Sequence, residues 1–349
     1  PTQAAESDTA DDSRRGRQRG AGMKEIAERA NVTKMTVSRA LRTPSKVAPA
    51  TLRRIEAAME ELDFVPNYLA GSLATRNSRI VPVIVPTMAS SIFSDFIEEI
   101  AMTLDAAGFT PMFGCSNFDS GYEERLFRRY LGWQPSAVVL IGAGQTPAVL
   151  EMCRRSTFPV IQTWNLPENP VGPVVGFSNY QALYQMVRAL QDWGYRRIGF
   201  GFIDTPGNDR SYQRRMGWEA AVREGGGEPL ATRTQGGLLS TEDGAAILRG
   251  ILERHPDTDA VAFGSDVLAV GAILECRRLG IRVPDEMAIT GCGDMGLSSI
   301  VTPALTTMHV PGRAIGRICA EMIPQLVDGT YEGPEVIELA TALIRRESA

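Results

Sequence analysis

Two apolar rhythms divide the chain. In residues 23–42, MKEIAERANVTKMTVSRALR, the apolar positions Ile26, Ala27 and Ala30 recur at helical spacing, and Thr33 stands at the N-cap of a second run with Val37, Ala40 and Leu41. Two short helices joined by a tight turn are predicted, the second carrying Lys34, Met35, Thr36, Ser38 and Arg39 away from its apolar face. Such a pair is either a helix-turn-helix, whose second helix enters a major groove, or a small surface hairpin. Residues 51–62, TLRRIEAAMEEL, space Leu52, Ile55, Met59 and Leu62 for a third helix that closes a miniature core.

From Ile80 the rhythm becomes short apolar strands alternating with amphipathic helices. IVPVIVP, TPMFGC and SAVVLIG read as strands, with helices at 95–107 and 122–131. A second set begins near Pro173, with strands RRIGFGF, DAVAFG and MAITGC and helices at 211–224 and 267–279. The alternation predicts an α/β core of two doubly wound parallel-sheet subdomains (residues from Ile80 on) behind an N-terminal all-α unit.

The segments VTKMTVSRALR, the third helix and VPNYLAGSLA, in this order and spacing, resemble the DNA-binding headpiece of the LacI/GalR family of bacterial transcription repressors. The resemblance covers residues 23–346 and implies a periplasmic-binding-protein-like core. It also implies a hinge that folds on operator DNA and inserts a leucine into the minor groove. Asn67, beside Pro66, matches the start of that hinge, and Leu73 matches the wedge. An ordinary packing leucine is the other reading of Leu73. Gly71 lowers helix propensity and suits a hinge that orders on binding.

The implied organisation is a disordered tail at 1–22, a headpiece at 23–66 and a hinge at 67–78. One subdomain then holds 79–163 plus 309–339, and the other holds 164–308 plus 340–349. Crossings are placed near Thr163, Met308 and Ala340.

Charge sharpens this division. A net charge of −5 looks wrong for a DNA binder, yet residues 14–76 hold 13 Lys/Arg against 6 Asp/Glu. Residues 77–349 carry 23 against 31, so the basic charge is concentrated where phosphates would be met. The polar tail has an arginine cluster, Arg14 to Arg19, which either adds phosphate contacts or is simply solvated. No apolar run reaches membrane-spanning length and no secretory signal is evident, so a cytoplasmic protein with no membrane partner is expected.

In the implied fold a ligand sits between the subdomains, outside the carboxyl ends of the strands. In SYQRRMGW, Arg214 matches the family's effector-binding arginine, although four neighbouring arginines leave an exposed helix arginine as the other reading. Ser265 and Asp266 follow DAVAFG where the family usually has Asn-Asp. The hydroxyl would replace the asparagine, and Asp266 is either a ligand group or a helix N-cap. After MAITG, Gly293 replaces an acid that binds sugar hydroxyls in many relatives, and Asp294 retains the second acid. Loss of the first carboxylate favours an anionic ligand, unless the glycine merely shapes the loop. Ser90, Ser91, Ile92 and Phe93 are expected at the cleft mouth. Trp164 would either stack on an aliphatic ligand face or pack a hinge.

VTKMTVSRALR, VVGFSNYQALYQM and ECRRLGIRVPDEMAITG look like gluconate-operon repressors within the family, which implies gluconate or a related sugar acid as effector. The same architecture would serve a neutral sugar or a purine, as inducer or co-repressor. The core alone would also suit a solute-binding protein, against which the basic headpiece argues.

Enzyme chemistry finds no foothold. The chain has two histidines far apart and no GxxxxGK[ST], HExxH or GxSxG, so neither a catalytic set nor a metal or other cofactor is expected. The glycines of IGAGQTP lack the full dinucleotide fingerprint and read as turn residues. Five scattered cysteines read as buried thiols, with redox sensing at Cys292 as an alternative. The expected protein is a homodimeric repressor that binds a near-palindromic double-stranded operator and is released by a small sugar-acid effector.

Overall fold

In the computed structural model, which describes residues 22–42, 46–64, 78–88, 91–235 and 239–349, the chain forms two units, Pro1–Arg76 and Asn77–Ala349. The first contains helices α1 (Met23–Arg29), α2 (Lys34–Arg42) and α3 (Pro49–Glu61). Ile26, Val37 and Ile55 are buried at its centre, with Ala27, Ala30, Ala40 and Ala58 letting the backbones approach. Each of the three large side chains contributes roughly 1.5–3 kcal/mol through burial. Thr33 starts α2 as its sequence suggests, its Oγ1 accepting from Thr36 N at 3.2 Å. Arg29 and Glu61 tie α1 to α3 at 2.6 Å. The expected tail lies outside the described residues except for Gly22, as does all of the hinge but Ser78; Asn67 and Leu73 are therefore outside them.

The second unit contains two six-stranded sheets. The first is built from β1 (Ile80–Val85), β2 (Thr110–Cys115), β3 (Val138–Ile141), β4 (Val160–Thr163), β5 (Val174–Gly176) and β11 (Val336–Glu338), in the order β11-β5-β4-β3-β1-β2 and parallel throughout. The second is built from β6 (Ile198–Asp204), β7 (Leu230–Gln235), β8 (Ala260–Phe263), β9 (Ala288–Gly293), β10 (Thr306–His309) and β12 (Ala342–Ile344). Its order is β12-β10-β9-β8-β6-β7, with only β12 antiparallel to its neighbour. Helices α4 (Ser94–Ala106), α5 (Ser120–Leu131), α6 (Pro147–Arg154) and α11 (Gly312–Asp328) accompany the first sheet. Helices α7 (Asn179–Asp192), α8 (Asp209–Glu224), α9 (Thr241–Arg254) and α10 (Asp266–Leu279) accompany the second. The continuous apolar run of β1 follows from this layering: it is covered on both faces, and every residue after Ile80 is buried.

One expected boundary is wrong. β5 pairs with β4 through Gln162↔Val174 and Thr163↔Val175, so the first sheet extends beyond Thr163 and the first crossing falls between Gly176 and Asn179. The loop NLPENPVGP, which follows the expected crossing, returns the chain to the same sheet. Trp164 makes the turn with φ +69°, and Gly176 passes so close that an added Cβ would lie 2.4 Å from Asn165 O.

The Gly217-Trp218 pair fixes α8 against its surroundings. A Cβ on Gly217 would sit 2.0 Å from Tyr180 O, so only glycine lets α7 and α8 meet this closely. Trp218 stacks on Phe200 at 5.3 Å and donates from Nε1 to Ile198 O at 3.2 Å. The helix that carries Arg214 is thereby seated on β6.

Candidate functional site

Two surfaces carry the expected chemistry, one in each unit. On α2, burial of Val37 and Ala40 turns Lys34, Met35 and Arg39 to solvent, with Thr36 and Ser38 at the margins. Met35 is 72% exposed, a poor position for an apolar side chain that serves packing and a usable one for contact with a base edge. Thr36 is held by Thr33, their hydroxyls 2.9 Å apart.

In the second unit the carboxyl ends of β1, β4, β6 and β8 face a common cavity. Phe93 and Trp164 form one wall, and Phe202, Gly264 and Ser265 stand on the other sheet. Between them, α8 presents Arg210, Ser211 and Arg214 from its first turns. The two arginines are the only charged side chains lining the cavity among the described residues. Both are nearly closed off from solvent, Arg210 at 5% and Arg214 at 7% exposure, and the helix N-terminus adds its own positive potential.

Arg214 is oriented by two hydrogen bonds: Nε donates to Asn179 Oδ1 at 2.9 Å and Nη1 to Gly264 O at 2.7 Å. Asn179 in turn donates to Trp164 O at 2.9 Å. The guanidinium is thus fixed against both the start of α7 and the turn after β4, with N–H groups left over for a ligand. The N-cap of α10 is Ser265 and not Asp266: its Oγ accepts from Val267 N at 3.3 Å, and the residue also lines the cavity. Trp164 is 1% exposed and caged by the rings of Phe93, Phe96 and Phe177. Its Nε1 has no hydrogen-bond partner among the described residues, so it keeps a donor in reserve. Ser91 opens a short 3-10 turn, Ser91–Phe93, its side chain outside the described set, while Ile92 and Phe93 line the cavity.

Two expected ligand groups are elsewhere. Asp266 is fully buried and accepts from Ser298 Oγ at 2.6 Å, Thr307 Oγ1 at 2.6 Å and Met295 N at 2.9 Å. It pins the loop after β9 and does not line the cavity; burial raises its pKa, with those three donors opposing. Asp294, with φ +54°, pairs with Arg346 at 2.6 Å and His309 at 3.1 Å, which turns its carboxylate towards the C-terminal segment. Gly293 also lies outside the cavity lining, and its Cβ would meet Asp266 Oδ2 at 3.4 Å. The absence of an acid there therefore does not set the charge of the cleft. Cys292 is 0% exposed and burial pushes its thiol pKa up, which removes the thiolate a redox sensor needs.

The sequence pattern of the bacterial regulatory proteins of the lacI family matches residues 22–67, and that of the periplasmic binding protein-like domain matches residues 187–349. The HTH-type transcriptional regulator GntR of Escherichia coli K12 is 30% identical over 92% of this chain and 96% of its own length. GntR of Pseudomonas aeruginosa is 31% identical over 93% and 95%. The chain belongs to the LacI family. Among solved structures, a LacI-family regulator from Silicibacter pomeroyi is 30% identical with TM-score 0.85, covering 94% of this chain and 99% of that one. The lac repressor dimer bound to operator and an anti-inducer shares the fold at 22% identity and TM-score 0.80, over 94% and 98%.

As a LacI-family protein, the chain is a DNA-binding transcriptional regulator with a small-molecule effector core, and not an enzyme. No helix of the described residues is long and apolar enough to cross a membrane. Sequence reasoning missed Arg210 and Asp209. Asp209 Oδ2 accepts from Ala143 N at 2.6 Å and Asn165 Nδ2 at 2.7 Å, joining α8 to the first sheet, and Oδ1 holds Arg210 at 2.9 Å. Arg210 also lies over the ring of Phe93 at 5.9 Å. The available signal was the spacing of Arg210 and Arg214 by four, which puts both on one helix face.

Proposed function

We propose that this LacI-family regulator represses genes for sugar-acid use and leaves its operator when a gluconate-type anion occupies the cleft. The observation that carries the reading is the Arg214 guanidinium, enclosed in the cavity wall and without a carboxylate partner among the described residues, whereas Arg210 is already paired with Asp209. A buried cation of this kind favours a ligand that brings the compensating charge. Arg214 grips the carboxylate with its fork, and the hydroxyls of Ser211 and Ser265 serve the polyol chain. Phe93 and Trp164 close over the aliphatic face, and Ser91 stands at the mouth. The choice of gluconate follows from the resemblance of the three segments quoted above to gluconate-operon repressors.

On the DNA side, Lys34, Met35 and Arg39 meet base edges, Thr36, Ser38 and Asn67 position the backbone, and Leu73 wedges a central step. Two copies of the chain read the two halves of a near-palindrome, as the lac repressor dimer engages its operator. By linkage, operator weakens effector binding by the factor through which effector weakens operator binding.

The test is fluorescence anisotropy of an operator fragment obtained by binding-site selection, titrated with gluconate, 6-phosphogluconate, a ketogluconate, glucose and a purine base. Release by the sugar acids alone is expected. Release by glucose or the purine alone removes the sugar-acid reading and leaves the family function standing.

A further inference from the structure

The cavity has a neighbour on the open edge of the second sheet. Phe202, Ile203, Thr205, Asn208 and Ser211 line both the cavity and an outer groove, which continues past Arg215 to Arg233 and Arg254. β7 is the edge strand here, and Arg233 lies beside Phe202 in the β6–β7 register. Three guanidiniums from β7, α8 and α9 therefore border one path that ends at the cleft.

Their charge is largely uncompensated. Among the described residues only Arg233 is in an ion pair, with Asp204. Arg254 donates from Nε to Gly250 O at 2.9 Å and has no carboxylate partner among the described residues. Arg215 rests against the rings of Phe202 and Tyr212, 6.0 and 5.6 Å from their centroids, and its enclosed Nε has no hydrogen-bond partner. Asp204 and Asp209 also border the groove, but the first is paired with Arg233 and the second is taken up by Arg210, Ala143 N and Asn165, so that Arg215 and Arg254 carry the uncompensated charge. The groove is thus a basic strip on a body whose residues 77–349 hold 31 acidic against 23 basic side chains. A small anion diffusing towards that body meets repulsion over most of it. A basic strip that leads to the binding cavity reverses the sign along one approach.

We propose that Arg215, Arg233 and Arg254 form an entry path that captures an anionic effector and raises its association rate, resting on the reading that the effector is a sugar acid. The path acts at long range, and the charges are not needed to hold the bound ligand. Their effect is therefore on association rather than dissociation, and it is screened by salt.

The test is stopped-flow tryptophan fluorescence with the full chain, mixing gluconate, and separately glucose, at low and at 1 M salt. The variants are wild type, Arg215→Gln/Arg254→Glu, Arg254→Glu alone and Arg277→Glu. Arg254 is exposed, so its variant keeps the fold intact if Arg215→Gln does not. Arg277 is exposed on α10, away from the groove, and controls for net charge. For gluconate at low salt, the association rate constant is expected to fall about 3- to 10-fold in the double variant and by a smaller factor in Arg254→Glu. Dissociation should stay within about twofold, Arg277→Glu should behave as wild type, and the differences should collapse in 1 M salt, where the Debye length is about 3 Å. Unchanged association at low salt overturns the entry path while leaving the sugar-acid reading intact. A loss that lies in dissociation and persists in 1 M salt also overturns it. A wild type that binds glucose and not gluconate overturns both.

Discussion

Replacing Arg214 by alanine tests the centre of the cleft. The side chain is 7% exposed, and its donors to Asn179 Oδ1 and Gly264 O fix the guanidinium before a ligand arrives. Hydrogen bonds to charged groups contribute about 1.5–3 kcal/mol each, so a carboxylate held by two of the remaining N–H groups gains at least about 3 kcal/mol. Arg214→Ala should therefore weaken gluconate binding by roughly a hundredfold or more. It also leaves Asn179 Oδ1 and Gly264 O without their donor, at a cost of about 1–3 kcal/mol of stability each. Arg214→Lys separates these effects, since it keeps the charge without the planar fork and should recover only part of the affinity. Isothermal titration gives the affinity, and operator anisotropy without effector verifies that the headpiece still works. Operator affinity should stay within about threefold of wild type while release by gluconate is lost, since each ligand senses Arg214 only through the cleft. If Arg214→Ala binds gluconate within about threefold of wild type and still responds to it, the arginine is not the carboxylate anchor and the map of the cleft is wrong.

Three further outcomes follow from other contacts. Burial pushes Glu123 up to about 7, against the opposing pull of Gln145 and Arg210. Because this folded value lies above the ordinary 4.5, its contribution to stability is complete below that value and is lost as pH rises through 7. Glu123→Gln should remove that decline and raise stability at pH 8 by an amount on the order of 2 kcal/mol, read from urea unfolding at pH 5 and 8; parallel curves for the two proteins would contradict it. Asp266→Ala should lose about 3 kcal/mol or more by stripping three donors of their acceptor, with the gluconate affinity of the folded protein changed by less than about threefold. Arg39→Ala should weaken operator binding about tenfold or more and relax discrimination at one base pair of each half-site, measured by anisotropy on substituted operators.

Local periodicity made most of the fold legible. The helices of the headpiece and the strands β1, β6, β8 and β9 follow from apolar spacing alone, because each helix buries one stripe in the headpiece core and each strand is covered on both faces by apolar clusters. β5 escaped because three residues in a proline-rich stretch carry no period, and their pairing with β4 depends on the turn at Trp164. The site was legible where a motif fixed the position, as at Arg214, and misread where the chain beyond it decides. Asp266 and Asp294 sit at the strand ends that the sequence suggested. Their directions are set by Ser298, Thr307 and Arg346, residues 32 or more positions away in the chain. The positive character of the cleft was inferred from the wrong residue, Gly293, and belongs to α8.

The contacts of Asp209 have a bearing on how such a protein changes over generations. One set of residues fastens α8 to the first sheet beside the cleft: a backbone N–H at Ala143, the amide of Asn165, the Asp209–Arg210 pair, and Gly142, where a Cβ would lie 2.3 Å from Arg210. The cavity walls around Arg214, Ser265, Trp164 and Phe93 are mostly a different set. A descendant can therefore exchange wall residues without loosening these fastenings, one of which, a main-chain N–H, is removed only by proline.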